Sequence, residues 1–226
     1  MIHIEYFTFN LFLERCSVLW DNDGNCAIAD PGFSSARERD ELYRFIENKK
    51  LNVKAILLTH GHFDHIYGVA EAAGFYGVPV YMHAADEVII KEANPALCST
   101  YGLKLPDDFS TTGDTQLSPV QEGDVIEVGS LRFEVIETPG HTPGGVCYLE
   151  RTEKVLLSGD TLFAGSIGRT DNQWADYDAL MSGIFSKLME LEGDTTVIPG
   201  HGPETSIATE RMTNPFLMPF NEPFEG

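Results

Sequence analysis

The sequence predicts an α/β fold in which helices cover the sheets, and three observations carry that expectation. Short apolar runs of strand character alternate with amphipathic helical stretches in both halves of the chain. No Ser/Gly linker, charge block or low-complexity tract divides the 226 residues, and no repeat of solenoid or propeller period is present. With 42% hydrophobic residues the chain can bury a substantial core, so one domain spanning 1–226 is expected.

Taken in order, strands are expected near 2–9, 17–20 and 26–30. The break at Pro31-Gly32 then leads into a helix over 35–49 with Leu42, Phe45 and Ile46 on one face. A strand over 54–58 follows. After His65, the spacing of Ile66, Val69, Ala70 and Ala73 predicts a helix, followed by a short strand at 78–82 and a helix over 86–93. Residues 94–121, rich in Pro, Gly, Ser, Thr and Asp, form the longest irregular segment, and such loops are functional flaps or insertions. Strands near 124–128, 131–137, 145–150 and 155–157 precede a helix over 176–191. A strand at 195–198, a short helix around 204–212 and a Pro/Phe-rich tail over 214–226 complete the order.

Thirty-five acidic against fifteen basic residues give a formal charge of −20, which repels phosphate backbones and argues against nucleic-acid binding. The first residues lack a basic segment followed by an apolar one, and no apolar run approaches the roughly 18 residues of a membrane span. A soluble, cytoplasmic protein without a membrane partner is therefore expected. Cys16, Cys26, Cys98 and Cys147 are scattered, without a CxxC pair, and read as reduced structural thiols. No pattern specifies an oligomer.

The chemistry concentrates in Thr59-His60-Gly61-His62-Phe63-Asp64-His65, directly after the apolar run 55–58. Imidazole nitrogen and carboxylate oxygen suit zinc, iron and manganese, and residues two apart in a tight loop can converge on an ion where a helix would splay them. Three further apolar strands end in a possible ligand, at His141, Asp160 and His201. Sites in α/β proteins are built just beyond the carboxyl ends of strands, so convergence of all four segments is the simplest account. Taken singly, Pro-Gly before His141 and His201, and Gly before Asp160, would be turn chemistry. The two remaining histidines, His3 and His83, read as structural or surface groups. Asp30 either holds a ligand histidine by its second ring nitrogen or caps the turn that follows it.

These residues, together with Asp30-Pro-Gly, Gly200-His-Gly and the segment from Ser158 to Asp171, resemble the metallo-β-lactamase superfamily, and within it the short members of the glyoxalase II (hydroxyacylglutathione hydrolase) group. The resemblance implies a four-layer αββα sandwich. It also implies that His60, His62 and His141 hold one divalent metal ion, that Asp64, His65 and His201 hold a second, and that Asp160 bridges the two. Aspartate at 160 points to the glyoxalase, lactonase and phosphodiesterase branches rather than to antibiotic hydrolysis. Glutathione-specific members carry Cys-Gly-Lys and an aromatic where this chain has Ile167-Gly168-Arg169, and they add a C-terminal helical domain that is not expected here.

The expected cofactor is a pair of divalent ions, zinc first, with iron or manganese as alternatives. Two such ions activate a water and polarise a carbonyl, so no protein nucleophile is needed, and the chain has no Gly-x-Ser-x-Gly elbow. Asp64 is the expected catalytic group, ligating one ion and orienting or deprotonating the water. A small-molecule thioester or ester is the expected substrate, because a thiolate leaves without a dedicated general acid. Arg169 either catches a substrate carboxylate or pairs with Asp171. The alternatives are a mononuclear iron persulfide dioxygenase, a lactone or ester hydrolase of the same fold, and a binding protein with a structural metal. The last is disfavoured because structural zinc is closed by four ligands.

Overall fold

The computed structural model describes residues 1–102 and 117–218. Two six-stranded sheets form its centre. In the first, β1 (His3–Phe9), β2 (Glu14–Trp20) and β3 (Asn25–Ala29) pair antiparallel, and β4 (Asn52–Leu57), β5 (Val80–His83) and β6 (Leu117–Val120) continue parallel to β3. In the second, β7 (Val125–Val128), β8 (Leu131–Glu137), β9 (Val146–Glu150) and β10 (Val155–Gly159) run antiparallel in sequence. Beyond the hairpin of β11 (Leu162–Phe163) and β12 (Ser166–Ile167), β13 (Thr196–Pro199) lies parallel to β10, with β14 (Thr205–Ser206) at the edge.

Strand periodicity builds the layers. Successive side chains on a strand point to opposite faces. Thus Ala55 and Leu57 of β4 join the core between the sheets while Ile56 packs under α1 (Ala36–Lys49) and α3 (Val69–Tyr76), and an irregularity at Lys54, where the pairing with β3 shifts register, puts Val53 on the helix side as well. In the second sheet Val146 and Tyr148 of β9 face the central core, whereas Cys147 and Leu149 face α5 (Tyr177–Ser186) and α6 (Ile207–Thr213). Both faces of β9 and β10 are covered, which is why those strands read as continuous apolar runs. The result is four layers, helix, sheet, sheet and helix.

Local sequence sets the element ends. Ser35 caps α1 by accepting from Glu38 N, and the Glu38 side chain returns to the Ser35 backbone, a reciprocal capping box. The helix expected after His65 is two pieces: α2 (Phe63–Ile66) already contains Asp64 and His65, and α3 follows Gly68. A side chain at 68 would collide with the Phe33 ring, and Gly68 N donates to Pro31 O, so the chain turns there. The irregular segment expected over 94–121 is corrected at both ends, by α4 (Asn94–Thr100) and by β6; residues 103–116 lie outside the described residues, as do 219–226 of the tail. The helix expected over 176–191 ends at Ser186 and is followed by a separate turn, Leu188–Glu190.

Two sets of polar contacts fasten sheet to sheet. Near the carboxyl end of β4, Val146 N donates to Thr59 O (2.8 Å) and the buried Tyr148 hydroxyl donates to Leu58 O (2.9 Å). At the far end, Asp21 accepts from Asp23 N and Asn25 N in its own hairpin and from Ser130 N (2.8 Å) in the turn between β7 and β8. Burial alone would push the Asp21 carboxyl up, but these donors outweigh it and hold the pKa at about 2. A depressed pKa means the stability it contributes is complete above the ordinary value of 3.8 and is lost as pH falls through about 2. Asp21→Asn is expected to lower unfolding stability by about 1–3 kcal/mol at pH 7. Urea titrations of both proteins should show that gap narrowing at about pH 2.5; a gap independent of pH would mean the charge contributes nothing.

Candidate metal centre

The loops after β4, β8, β10 and β13 meet at one place, and with α2 they bring together all seven side chains singled out above. Among the described residues, three trios have donor atoms within 4.8 Å of one another: His60, His62 and His141; Asp64, His65 and His201; and His60, His65 and Asp160. Asp160 lies between the first two, its Oδ1 3.5 Å from His65 Nε2 and its Oδ2 3.5 Å from His141 Nε2. His3, stacked on Trp20, and His83, 3.2 Å from Glu137, stand apart from the cluster.

Four of the five imidazoles are oriented through their other nitrogen, His60 Nδ1 lying 3.1 Å from the Thr59 hydroxyl. His141 Nδ1 donates to Arg169 O (2.9 Å) and His201 Nδ1 to Phe12 O (3.0 Å), an assignment required because a carbonyl only accepts. His65 Nδ1 faces Asp30 Oδ2 at 3.1 Å, and Thr59 supplies both its N–H (2.8 Å) and its hydroxyl (2.6 Å) to the same carboxylate. Of the two roles open to Asp30, holding a histidine is the one the fold uses. With Nδ1 engaged, these rings turn Nε2 to the centre, whereas His62 offers Nδ1, 2.9 Å from His141 Nε2.

Burial pushes the His60 imidazole well below its usual range, with His65, His62 and His141 adding to the effect, and it pushes His62 down to about 3 together with His141. Burial also opposes charge on His65, but Asp160, Asp64 and Asp30 override it and raise that ring to about 10. Asp64 is likewise disfavoured by burial, yet His65 and His201 hold its carboxyl well below the usual range. The centre therefore sets two imidazoles that burial keeps neutral, His60 and His62, beside carboxylates that draw positive charge toward His65. His60 Nε2 and Asp160 Oδ1 are buried without a hydrogen-bond partner in the protein, a state buried polar atoms rarely tolerate. Nitrogen and oxygen donors with such orphaned atoms fit divalent zinc, iron or manganese.

The centre opens into a cavity of about 240 Å³ whose wall is largely apolar: Phe12, Phe63, Ala93, Leu97, Tyr101 and Trp174. Phe12 packs edge-on against both Phe63 and Tyr101, with centroids 5.1 Å apart in each case. Arg169 reaches this cavity, and its guanidinium is paired with Asp171 (2.7 Å), so the pairing expected as an alternative is present at the rim. Sequence reasoning missed the carbonyls of Phe12 and Arg169, which carry no residue-type signal, and two fully buried polar side chains, Asp86 and Asn94, on the helical segment after β5.

Comparison with known proteins agrees with this picture. A family model described as the metallo-beta-lactamase superfamily matches residues 11–201. The hydroxyacylglutathione hydrolase GloC of Haemophilus influenzae is 38% identical over 216 residues, covering 96% of this chain and 98% of that protein. Among solved structures, the BLEG-1 B3 metallo-beta-lactamase superposes with a TM-score of 0.85 at 33% identity, covering 96% of this chain and all of that one. A di-iron-bound form of TTHA1623 superposes with a TM-score of 0.81 at 33% identity, covering 94% and 100%.

Gly200 makes room for two of the donor side chains. A Cβ there would run into Asp160 Oδ1 and come within 2.6 Å of His65 Cε1. Gly200→Ala is expected to fold with a stability loss of about 1–3 kcal/mol, typical of overpacking, and to bind zinc at least ~10-fold more weakly in chelator competition, the loss typical of disturbed ligand support. Wild-type affinity in the variant would show that the two side chains are not fixed by this contact.

Proposed function

Since the chain belongs to the metallo-β-lactamase superfamily, we propose that this member is a binuclear metal-dependent hydrolase whose substrates are thioesters of the S-lactoylglutathione kind. The observation that carries the reading is the placement of Asp160 between two donor trios at the floor of an apolar-walled cavity. Seven donors exceed what one structural ion uses, which favours two open ions over a closed structural site.

Two ions bound there would bring the pKa of a water toward neutrality and polarise a substrate carbonyl. The chain's own residues supply the remainder. Asp64, whose Oδ2 lies 3.4 Å from His201 Nε2, would orient the attacking water or accept its proton. Phe12, Leu97, Tyr101 and Trp174 hold the apolar part of a substrate and keep bulk water away. Arg169 offers a cation at the rim, although Asp171 already neutralises part of it, so it selects a substrate carboxylate weakly. Among the described residues lining the cavity, no carboxyl or imidazole stands outside the donor set to serve as a dedicated acid for an alkoxide, which favours a thiolate as the leaving group. Relatedness to GloC supports the same substrate class.

Freshly purified protein, a chelated sample and an Asp160→Ala variant should be assayed with S-D-lactoylglutathione. Metal-dependent turnover with kcat/KM above roughly 10⁴ M⁻¹s⁻¹ is expected, with a loss of at least ~100-fold in the other two samples. No turnover by protein carrying two ions would sink glutathione thioesters as substrates. Lactones, nitrocefin and glutathione persulfide, the last followed by oxygen uptake, are the substrates to run beside it.

A further inference from the structure

Asp86 and Asn94 lie outside the donor set, are fully buried, and grip the backbone that carries it. Asp86 Oδ2 accepts from Gly61 N (2.7 Å) and from the Thr142 hydroxyl (2.9 Å), and its Oδ1 accepts from Gly144 N (2.5 Å). Asn94 donates through Nδ2 to Gly61 O (2.8 Å) and accepts from Phe63 N (3.1 Å). Gly61 stands between His60 and His62, and Thr142 follows His141 directly. One carboxylate therefore ties the loop of two histidines to the loop of the third, across the two sheets. The glycines make room for it, since a Cβ on Gly61 or Gly144 would press on Asp86.

Helix geometry explains how two residues eight apart face the same loop. In a regular α-helix they would be rotated by about 80° from each other. Here the segment includes a π turn, Ile89–Ala93, in which Asn94 N reaches Ile89 O, and Pro95, which has no N–H to donate, follows at once. The π turn absorbs the additional residue and returns Asn94 to the face of Asp86.

Asp86 makes no hydrogen bond to Asp64, His65 or His201 or to their neighbours in sequence; Asn94 touches that side only at Phe63 N, beside Asp64, and Asp30 serves that trio through His65. We propose that Asp86, assisted by Asn94, is the positioning residue of one ion only: it sets the spacing of His60, His62 and His141, while the ion of the other trio is independent of it. The assignment rests on the two-ion reading of the site.

Zinc dissociation constants by chelator competition, with zinc content and unfolding midpoints of chelated and loaded protein, test it. In Asp86→Asn one of the two ions should bind ~10–100-fold more weakly and the other unchanged, and the gap between chelated and loaded midpoints should shrink. Thr142→Val, which removes a single donor and leaves the carboxylate in place, should give a smaller loss of the same kind. Asp86→Asn should add nothing in a His62→Ala background, where the trio is already broken, and act in full in a His201→Ala background. Equal weakening of both ions, equal effects in the two backgrounds, or lower midpoints with unchanged dissociation constants would overturn the assignment. Wild-type protein that binds no zinc overturns the two-ion reading with it, whereas wild-type protein binding two, matched by both variants, overturns this assignment alone.

Discussion

Five imidazoles and two carboxylates crowded into a mostly buried volume compete for protons and are largely withdrawn from solvent, so their gathering has to be held by something else. What holds it is the face-to-face packing of the two sheets. Leu57 of the first and Val135, Tyr148, Leu157 and Ile198 of the second belong to one apolar layer, and the loops that leave these strands carry His60, His141, Asp160 and His201. Apolar burial of this extent is non-directional, so direction comes from the polar contacts at the layer's ends. Thr59 O, Leu58 O and the Tyr148 hydroxyl fix one sheet relative to the other within a residue or two of the first histidine.

This arrangement divides labour between rigid and variable parts. Donor side chains sit at strand ends or on a single helical turn, and four of the five rings are turned by a partner that is itself anchored: a carbonyl, a threonine hydroxyl or Asp30. Apart from Phe63 on α2, the apolar cavity wall comes from the β1–β2 turn, the helix after β5 and the stretch around Trp174. Donors and most of the wall thus lie on different segments, so the wall can vary while the donors stay in place.

Much of this was legible in the sequence, for reasons that differ by residue. His60, His62, Asp64 and His65 announce themselves because donors at such density have no structural explanation, and His141, Asp160 and His201 because each ends an apolar run. The long strands and α1 were legible from period and, for α1, from the Pro31-Gly32 break before it. Strands β11, β12 and β14, two residues each, are too short to show a period, and β6 lies within a stretch whose composition suggests only loop. Asp86 and Asn94 stayed hidden because they act on the backbone of Gly61, and a backbone amide looks the same at every position. Their sole trace is two polar residues bracketing an apolar helical stretch.

The π turn between those two residues turns a matter of orientation into a matter of count. Most exposed positions of that segment, such as Glu87, Lys91 and Glu92, can change identity freely, since their side chains contact solvent rather than the loop. The number of residues from 86 to 94 has less freedom: the π turn already absorbs one, and a further insertion in an otherwise regular helix would swing Asn94 by roughly 100° away from Gly61. Among descendants of this chain, the segment should drift in composition without gaining residues, the opposite of how surface helices usually diverge.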